Sequence, residues 1–340
     1  MKNKQKIVDW LKLPKVYTTI ILVLTIIALA IFVTKDGLVQ GGDLEFHINR
    51  IYEISENLKS GDVLSLTYSK TEGYGSGIFY PQIFLYIPAI LNLCGIDLIV
   101  SYKIFLIICN LVTALVMYIC IKSITGKRVV GIIASALYTT CNYRMLCLIA
   151  RAAIGEVQAF IFIPVVILGL YEVFYRDIKK WYILAIGMTG LIYTHLISAV
   201  LAVVALCLPV FIINIKKIFI KDKSRLKVLI NAVILTVLLI SAFLLPFLEQ
   251  IVGYDFYLNN NTVKTNVAAS VNGIIENIFS IKFKNSEDDF LPGVGLIIVI
   301  FSFAYLILKK GKEQEQYDDF YKILLISVTK ALYNKSPISS

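Results

Sequence analysis

The sequence predicts an all-α polytopic membrane protein, a bundle of about 8–10 membrane segments with an amphipathic helix on its outer face after the first span. Three observations predict it. Hydrophobic residues make up 58% and charged residues only 16% of the 340-residue chain, with mean hydropathy +0.78, a balance that excludes a soluble domain. Apolar runs long enough to cross a bilayer recur along the chain. The net charge of +10 is gathered into short basic clusters between those runs, the positive-inside pattern, with anionic headgroups rather than nucleic acid as its partner.

Taken in order, residues 1–15 carry Lys2, Lys4, Lys6, Lys12 and Lys15 and read as a cytoplasmic N-terminus. The first apolar run, 16–34, is followed by Thr34-Lys35-Asp36-Gly37, which offers no small-residue cleavage site, so it reads as an uncleaved anchor. Further runs cover 80–94, 103–121, 129–147, 157–175, 181–214, 228–248 and 291–308. The run 181–214 is too long for one crossing and predicts two helices meeting near Thr194-His195. Basic clusters at Lys122 to Arg128, Arg176 to Lys180, Lys216 to Lys227 and Lys309 to Lys312 read as cytoplasmic. The loops 35–79 and 249–290, the stretch 144–156 and the hairpin at His195 therefore face outward. One count does not close: an odd number of crossings must join Phe79 to Lys122, yet 80–94 and 103–121 look like two, so the segment from Tyr80-Pro81 to Pro88 is either re-entrant or interfacial, or one cluster misleads. The bundle spans 16–310, and 311–340 reads as a polar C-terminal tail.

The stretch Gly41-Gly42-Asp43-Leu44-Glu45-Phe46-His47-Ile48-Asn49-Arg50 places two carboxylates, an imidazole and a guanidinium at the lip of the membrane, where ionised groups persist only if something compensates them. The glycine pair stops helix propagation, and Asp43 suits an N-cap. Leu44, Ile48, Ile51, Tyr52, Ile54, Ser55 and Leu58 then give a helical apolar stripe closed by Lys59-Ser60-Gly61, a helix lying on the outer leaflet or against the bundle. In such a helix Asp43, His47 and Arg50 share a strip and Glu45 points elsewhere; if the opening turn is extended, Asp43, Glu45 and His47 share a side, as metal ligation prefers. The plain alternative is that Asp43 is only a cap and His47 only an interfacial ring.

Gly73-Tyr74-Gly75-Ser76-Gly77 has neither the preceding strand nor the Lys-Ser or Lys-Thr of a nucleotide loop and reads as a flexible outer loop before Phe79-Tyr80-Pro81. Arg144 and Arg151 flank a segment ending Ala152-Ala153-Ile154-Gly155-Glu156, and outward-facing arginines suit a phosphate or diphosphate. The alternative is snorkelling to headgroups or pairing with Glu156. His195 interrupts an apolar run, and a lone hairpin histidine is more often structural than catalytic. Glu249 and the Glu287-Asp288-Asp289 run read as solvated loop residues. The six cysteines, Cys94, Cys109, Cys120, Cys141, Cys147 and Cys207, show no metal-ligand spacing and read as small core hydrophobes.

Together, Gly-Asp-x-x-x-His-x-x-Arg after a first helix, Phe-Tyr-Pro after a Gly-rich loop, Arg-x-x-x-Gly-Glu at 151–156, Thr194-His195 and Phe243-Leu244-Leu245-Pro246-Phe247-Leu248-Glu249 resemble bacterial multipass proteins of the C-type (GT-C) glycosyltransferase superfamily. More narrowly, they resemble the membrane proteins labelled as 6-pyruvoyl-tetrahydropterin synthase-related, over about residues 15–310. The pterin chemistry is not implied, because that synthase uses three histidines for zinc and this chain has two in all. The resemblance implies a GT-C-like bundle and a transferase that moves a sugar from a polyprenyl-phosphate donor to a glycan, lipid or protein acceptor on the extracytoplasmic face of the cell membrane. Its catalytic acidic residue would be Asp43, or less closely Glu45. Such relatives usually continue beyond the point where this chain ends at Ser340, which leaves a truncated product or a fragment among the readings.

For that chemistry Asp43 is the base taking the acceptor proton during inverting attack, with Glu45 and His47 beside it. A lipid-phosphate leaving group needs cations, which Arg50, Arg144 and Arg151 supply. Glu156 and His195 are supporting residues, and Asp43, Glu45 and His195 are the candidate ligands if a divalent cation, Mg or Mn, takes part. The rivals are a transporter or flippase for a lipid-linked saccharide and a non-catalytic membrane protein. Transport predicts polar residues near the bilayer midplane, where the sequence shows Asn110 as a lone exception.

Overall fold

A computed structural model describes residues 41–63 and 80–253, with positions 16, 19, 20, 23 and 77 besides. Apart from those five positions, the predicted first span, the glycine-rich loop, the run 291–308 and the tail lie outside the described residues. The chain divides into two units, one holding the described residues 41–63 and 82–168, the other 80–81 and 169–253. Among the described residues every regular element is a helix. Four are long and apolar enough to cross a membrane, or five if one bent pair counts as a span, so the chain is an all-α polytopic membrane protein.

The first unit begins with α1 (Leu44–Lys59), the amphipathic helix expected from the apolar stripe. It lies against the bundle: Ile51 and Ile54 pack with Leu85, Ala89, Tyr102 and Phe105 of the next two helices. Tyr52, assigned to the stripe, is half exposed, because the buried face instead runs through His47, Arg50, Ile51, Ile54 and Ser55. A 3₁₀ turn at Ile83–Leu85 leads into α2 (Tyr86–Leu93). Eleven residues rise about 16 Å at 1.5 Å each, about half the hydrocarbon thickness, so this segment does not cross. Among the described residues of this stretch, α3 (Leu98–Thr125) is the helix long and apolar enough to cross.

Helix α3 starts where the Asp97 carboxylate accepts from the Ile99 and Val100 amides at 2.9 and 3.1 Å, and ends at Gly126, whose φ of +69° suits a residue without Cβ. The chain returns as α4 (Arg128–Thr139) and α5 (Asn142–Ile149), bent by 45° at Thr140-Cys141. Gly131 lets α4 approach the ring and carbonyl of Tyr118, and the buried Ser135 hydroxyl donates to the Ala114 carbonyl at 2.6 Å. A short turn then enters α6 (Ile154–Tyr175), within which the division between units falls.

The second unit continues from Gly169 through α7 (Tyr182–Thr194), α8 (Leu196–Ala202), a π-helical segment Val203–Cys207, α9 (Leu208–Ile213) and α10 (Ser224–Gly253). The expected break near Thr194-His195 is where α7 ends and α8 begins. Helix α6 approaches α7 so closely at Gly169 that a Cβ there would stand 2.5 Å from the backbone of Leu184. Glu249, expected in a loop, belongs to the last turn of α10, which runs on through Pro246 to Gly253.

Candidate functional site

The two motifs far apart in sequence, Gly41-Gly42-Asp43 and Arg151 to Glu156, touch in the first unit. The Asp43 amide donates to the Arg151 carbonyl at 3.0 Å. Gly41 presses against the same strand of backbone: a Cβ there would meet Ala152 Cβ and the Arg151 carbonyl carbon at 2.9 Å and the Ala150 oxygen at 3.0 Å. The receiving turn is itself unusual, for Ala152 has φ +53°, a left-handed conformation that costs an alanine about 1–2 kcal/mol. Thus glycine at 41 serves close approach, and the turn at 150–153 is held in a strained shape to receive it.

This contact changes the role of Asp43. It stands at the N-cap position of α1, yet its side chain makes no capping hydrogen bond. Its carboxylate instead lies 3.9 Å from Arg151 Nη2, and both side chains remain accessible, Asp43 48% and Arg151 41% exposed. At that distance and exposure the attraction is worth about 0–1 kcal/mol, so each group is free to exchange its partner for a ligand.

Arg151 is held chiefly from behind. Its Nη1 donates to Glu156 Oε1 at 2.9 Å, and Glu156 is nearly buried. The other oxygen of Glu156 accepts from the Tyr143 hydroxyl and, at 3.4 Å, from the Cys147 thiol. Burial, the largest single influence, works against the charge on Arg151, but the Glu156 carboxylate together with Cys147 and Tyr143 outweighs it, and the guanidinium pKa lies above its ordinary value. Tyr143 and Cys147 were not singled out from the sequence as site residues. Their spacing carried a signal: 143 and 147 are i and i+4, one face of α5, which brings both toward Glu156, while Arg151 follows in the turn beyond the end of that helix.

Behind α1's first turn, His47 and Arg50 are both 1% exposed, with the Phe46 ring between them, 5.1 Å from the imidazole centroid and 5.3 Å from the guanidinium carbon. They share the helix face expected of them, turned into the unit rather than along its edge. Glu45 is exposed on the first turn.

Arg144 departs most from its expected place beside Arg151 on an open face. It is 1% exposed, donating to the Thr139 carbonyl at 3.0 Å and to Asn110 Oδ1, with the Phe160 ring 6.0 Å away. The physical reason is the bend: at Thr140-Cys141 the end of α4 loses its continuing helical donors, and Arg144, one turn into α5, returns to satisfy the freed Thr139 carbonyl. Asn110, in the middle of α3, is its partner.

His195 belongs to the second unit. With an extended backbone it caps α8, its Nδ1 accepting from the Ser198 amide at 3.3 Å, and its ring stands 5.9 Å from that of Tyr80. The candidate metal ligands Asp43 and Glu45 thus lie in one unit and His195 in the other. Among the described residues no three His, Cys, Asp or Glu side chains gather as a metal site.

Comparison with known proteins gives three findings. The model of a family described as "Family of unknown function (DUF6541)" matches residues 4–314. An uncharacterized protein of Lactococcus lactis subsp. cremoris (strain MG1363) is 23% identical over 304 residues, covering 86% of this chain and 49% of the relative, so the chain spans about half that relative's length. No solved structure matches.

Proposed function

This chain belongs to the DUF6541 family, and we propose that it is a membrane glycosyltransferase that moves a sugar from a polyprenyl-phosphate donor to an acceptor on the outer face of the cell membrane. The observation that carries the reading is the juxtaposition of an accessible carboxylate, Asp43, with an accessible guanidinium, Arg151, whose direction is fixed by the nearly buried Glu156. Sugar transfer from a lipid phosphate needs this pair: a base for the acceptor proton and a cation for the departing phosphate, set close together.

In the proposed step the acceptor hydroxyl gives its proton to the Asp43 carboxylate while its oxygen attacks the anomeric carbon. The bond from that carbon to the phosphate oxygen breaks, the electron pair leaves with the polyprenyl phosphate, and the configuration inverts. Arg151 meets the charge on the leaving phosphate, and the proton on Asp43 passes to water. Tyr143 and Cys147 act through Glu156 as positioning groups. Glu45 is exposed on the first turn of α1 with His47 and Arg50 buried on the same helix, and Arg144 pins the α4–α5 bend. Among the described residues no three His, Cys, Asp or Glu side chains gather as a divalent-cation site, and the proposed step uses Asp43 and Arg151.

One observation favours the alternative, transport of a lipid-linked saccharide. The Arg144–Asn110 pair is buried within the spans, where a transporter would keep polar groups. A single experiment separates the two. Proteoliposomes holding the full chain and a radiolabelled polyprenyl-phosphate sugar are followed for sugar transfer to added acceptors and for donor crossing. Transfer that falls by about 10²-fold or more in Asp43→Asn supports the transferase. Donor consumption unchanged in Asp43→Asn overturns it, and crossing of intact donor without transfer supports transport.

A further inference from the structure

The second unit carries a part-open cavity of about 520 Å³ between the end of α6, α7, the α8–α9 segment and α10, with Phe174, Met188, Cys207, Phe211, Ala232 and Ile240 marking its extent. Its lining is apolar; Thr236, a polar member, turns its hydroxyl to the Ala232 carbonyl at 2.8 Å. The wall is shaped by the π-helical turn Val203–Cys207, two of whose residues line the cavity. Such a turn interrupts regular helix bonding and is frequent at functional sites.

One end of the cavity is basic. Phe174 and Leu229 line it there, and Arg225 donates to the Val173 carbonyl next to Phe174. Arg176 and Lys180 reach the fully buried Glu172, at 3.2 and 3.5 Å. Lys179, Lys223 and Lys227 are exposed close by in sequence, so six cations stand against the three carboxylates of Glu172, Asp177 and Asp222. An apolar slot with a cationic rim matches a molecule with an apolar tail and an anionic head.

We propose that this cavity holds one acyl chain of an anionic phospholipid, with its phosphate at the basic end in the cytoplasmic leaflet. The proposal rests on the orientation given by the basic clusters and is independent of the transferase chemistry. The apolar lining and the basic rim argue for such a molecule, and the volume lies within the range of about 300–1,000 Å³ for small-molecule sites.

The full chain, reconstituted with equal phosphatidylglycerol and phosphatidylcholine and released into mild detergent, is examined by native mass spectrometry for retained lipid. The expected result is retained phosphatidylglycerol over phosphatidylcholine, with the preference falling about fivefold for each of Lys223→Gln and Lys227→Gln. Cys207→Phe, which fills the cavity, abolishes retention, while the control Leu238→Trp, on a lipid-facing position 65% exposed, leaves it unchanged. Equal retention of both lipids by the wild type, or retention by folded Cys207→Phe equal to wild type, overturns the proposal. If Cys207→Phe fails to elute as a folded species, the lysine variants decide: an unchanged preference in both is refutation.

Discussion

Replacing Gly41 by alanine tests the contact on which the candidate site depends. The added Cβ would stand 2.9 Å from Ala152 Cβ and from the Arg151 carbonyl carbon and 3.0 Å from the Ala150 oxygen. Two of those three atoms are backbone, in a turn already strained at Ala152, so relief requires the 41–43 turn to move away. Overpacking of this kind costs about 1–3 kcal/mol. Part of it appears as loss of the Asp43 amide bond to the Arg151 carbonyl, worth about 0.5–1.5 kcal/mol. A cost of about 1–3 kcal/mol converts to about a 5–150-fold shift in the docking equilibrium. Hydrogen–deuterium exchange in nanodiscs reads it directly: the Asp43 amide should exchange faster by that factor in Gly41→Ala, with amides in the middle of α3 unchanged. Gly253→Ala is the control, since a Cβ there has open space around it. Unaltered protection at Asp43 in folded Gly41→Ala would refute the reasoning, because the turn would then not depend on close approach.

Other outcomes follow from the same geometry. Gly169→Ala should destabilise the second unit by about 1–3 kcal/mol or more, since its Cβ meets the Leu184 backbone rather than a movable side chain; thermal unfolding in detergent measures it. Asn110→Leu should cost about 3–5 kcal/mol by stranding the buried Arg144 charge, while Asn110→Leu with Arg144→Met should cost less than Asn110→Leu alone, a double-mutant cycle read by the same unfolding assay. Arg151 has its pKa raised above an already high ordinary value, so its charge and any stability from it are fully present below that range and are lost only as pH rises beyond it. Donor binding should therefore show no alkaline limb from this residue up to about pH 11, whereas Arg151→Lys should introduce one near about pH 10.4, seen in the pH profile of the donor KM.

Much of the fold was legible in the sequence because a bilayer imposes simple rules on it. Long apolar runs, the His195 break and the stripe of α1 all appear where length and period place them. The run at 80–94 was ambiguous because apolar composition alone does not separate a short interfacial helix from a span, and only the 3₁₀ entry and the eight residues of α2 decided it. In the site, Asp43 and Arg151 were legible as charged residues at a membrane lip, which hydrocarbon does not tolerate without a reason. Their mutual contact was not, since 108 positions separate them and no local period reports such a distance.

By itself, then, the sequence determined that this chain is a helical membrane protein and which of its polar residues required explanation, because desolvation makes each ionised group in such a chain conspicuous. Tertiary structure alone decided their neighbours: Arg144 went inward to Asn110 and the freed Thr139 carbonyl, and Arg151 stayed at the surface between Glu156 and Asp43. The two arginines lie seven residues apart on one short stretch, and what separates their fates is the bend before α5 and the left-handed turn after it, features set by packing rather than by residue type.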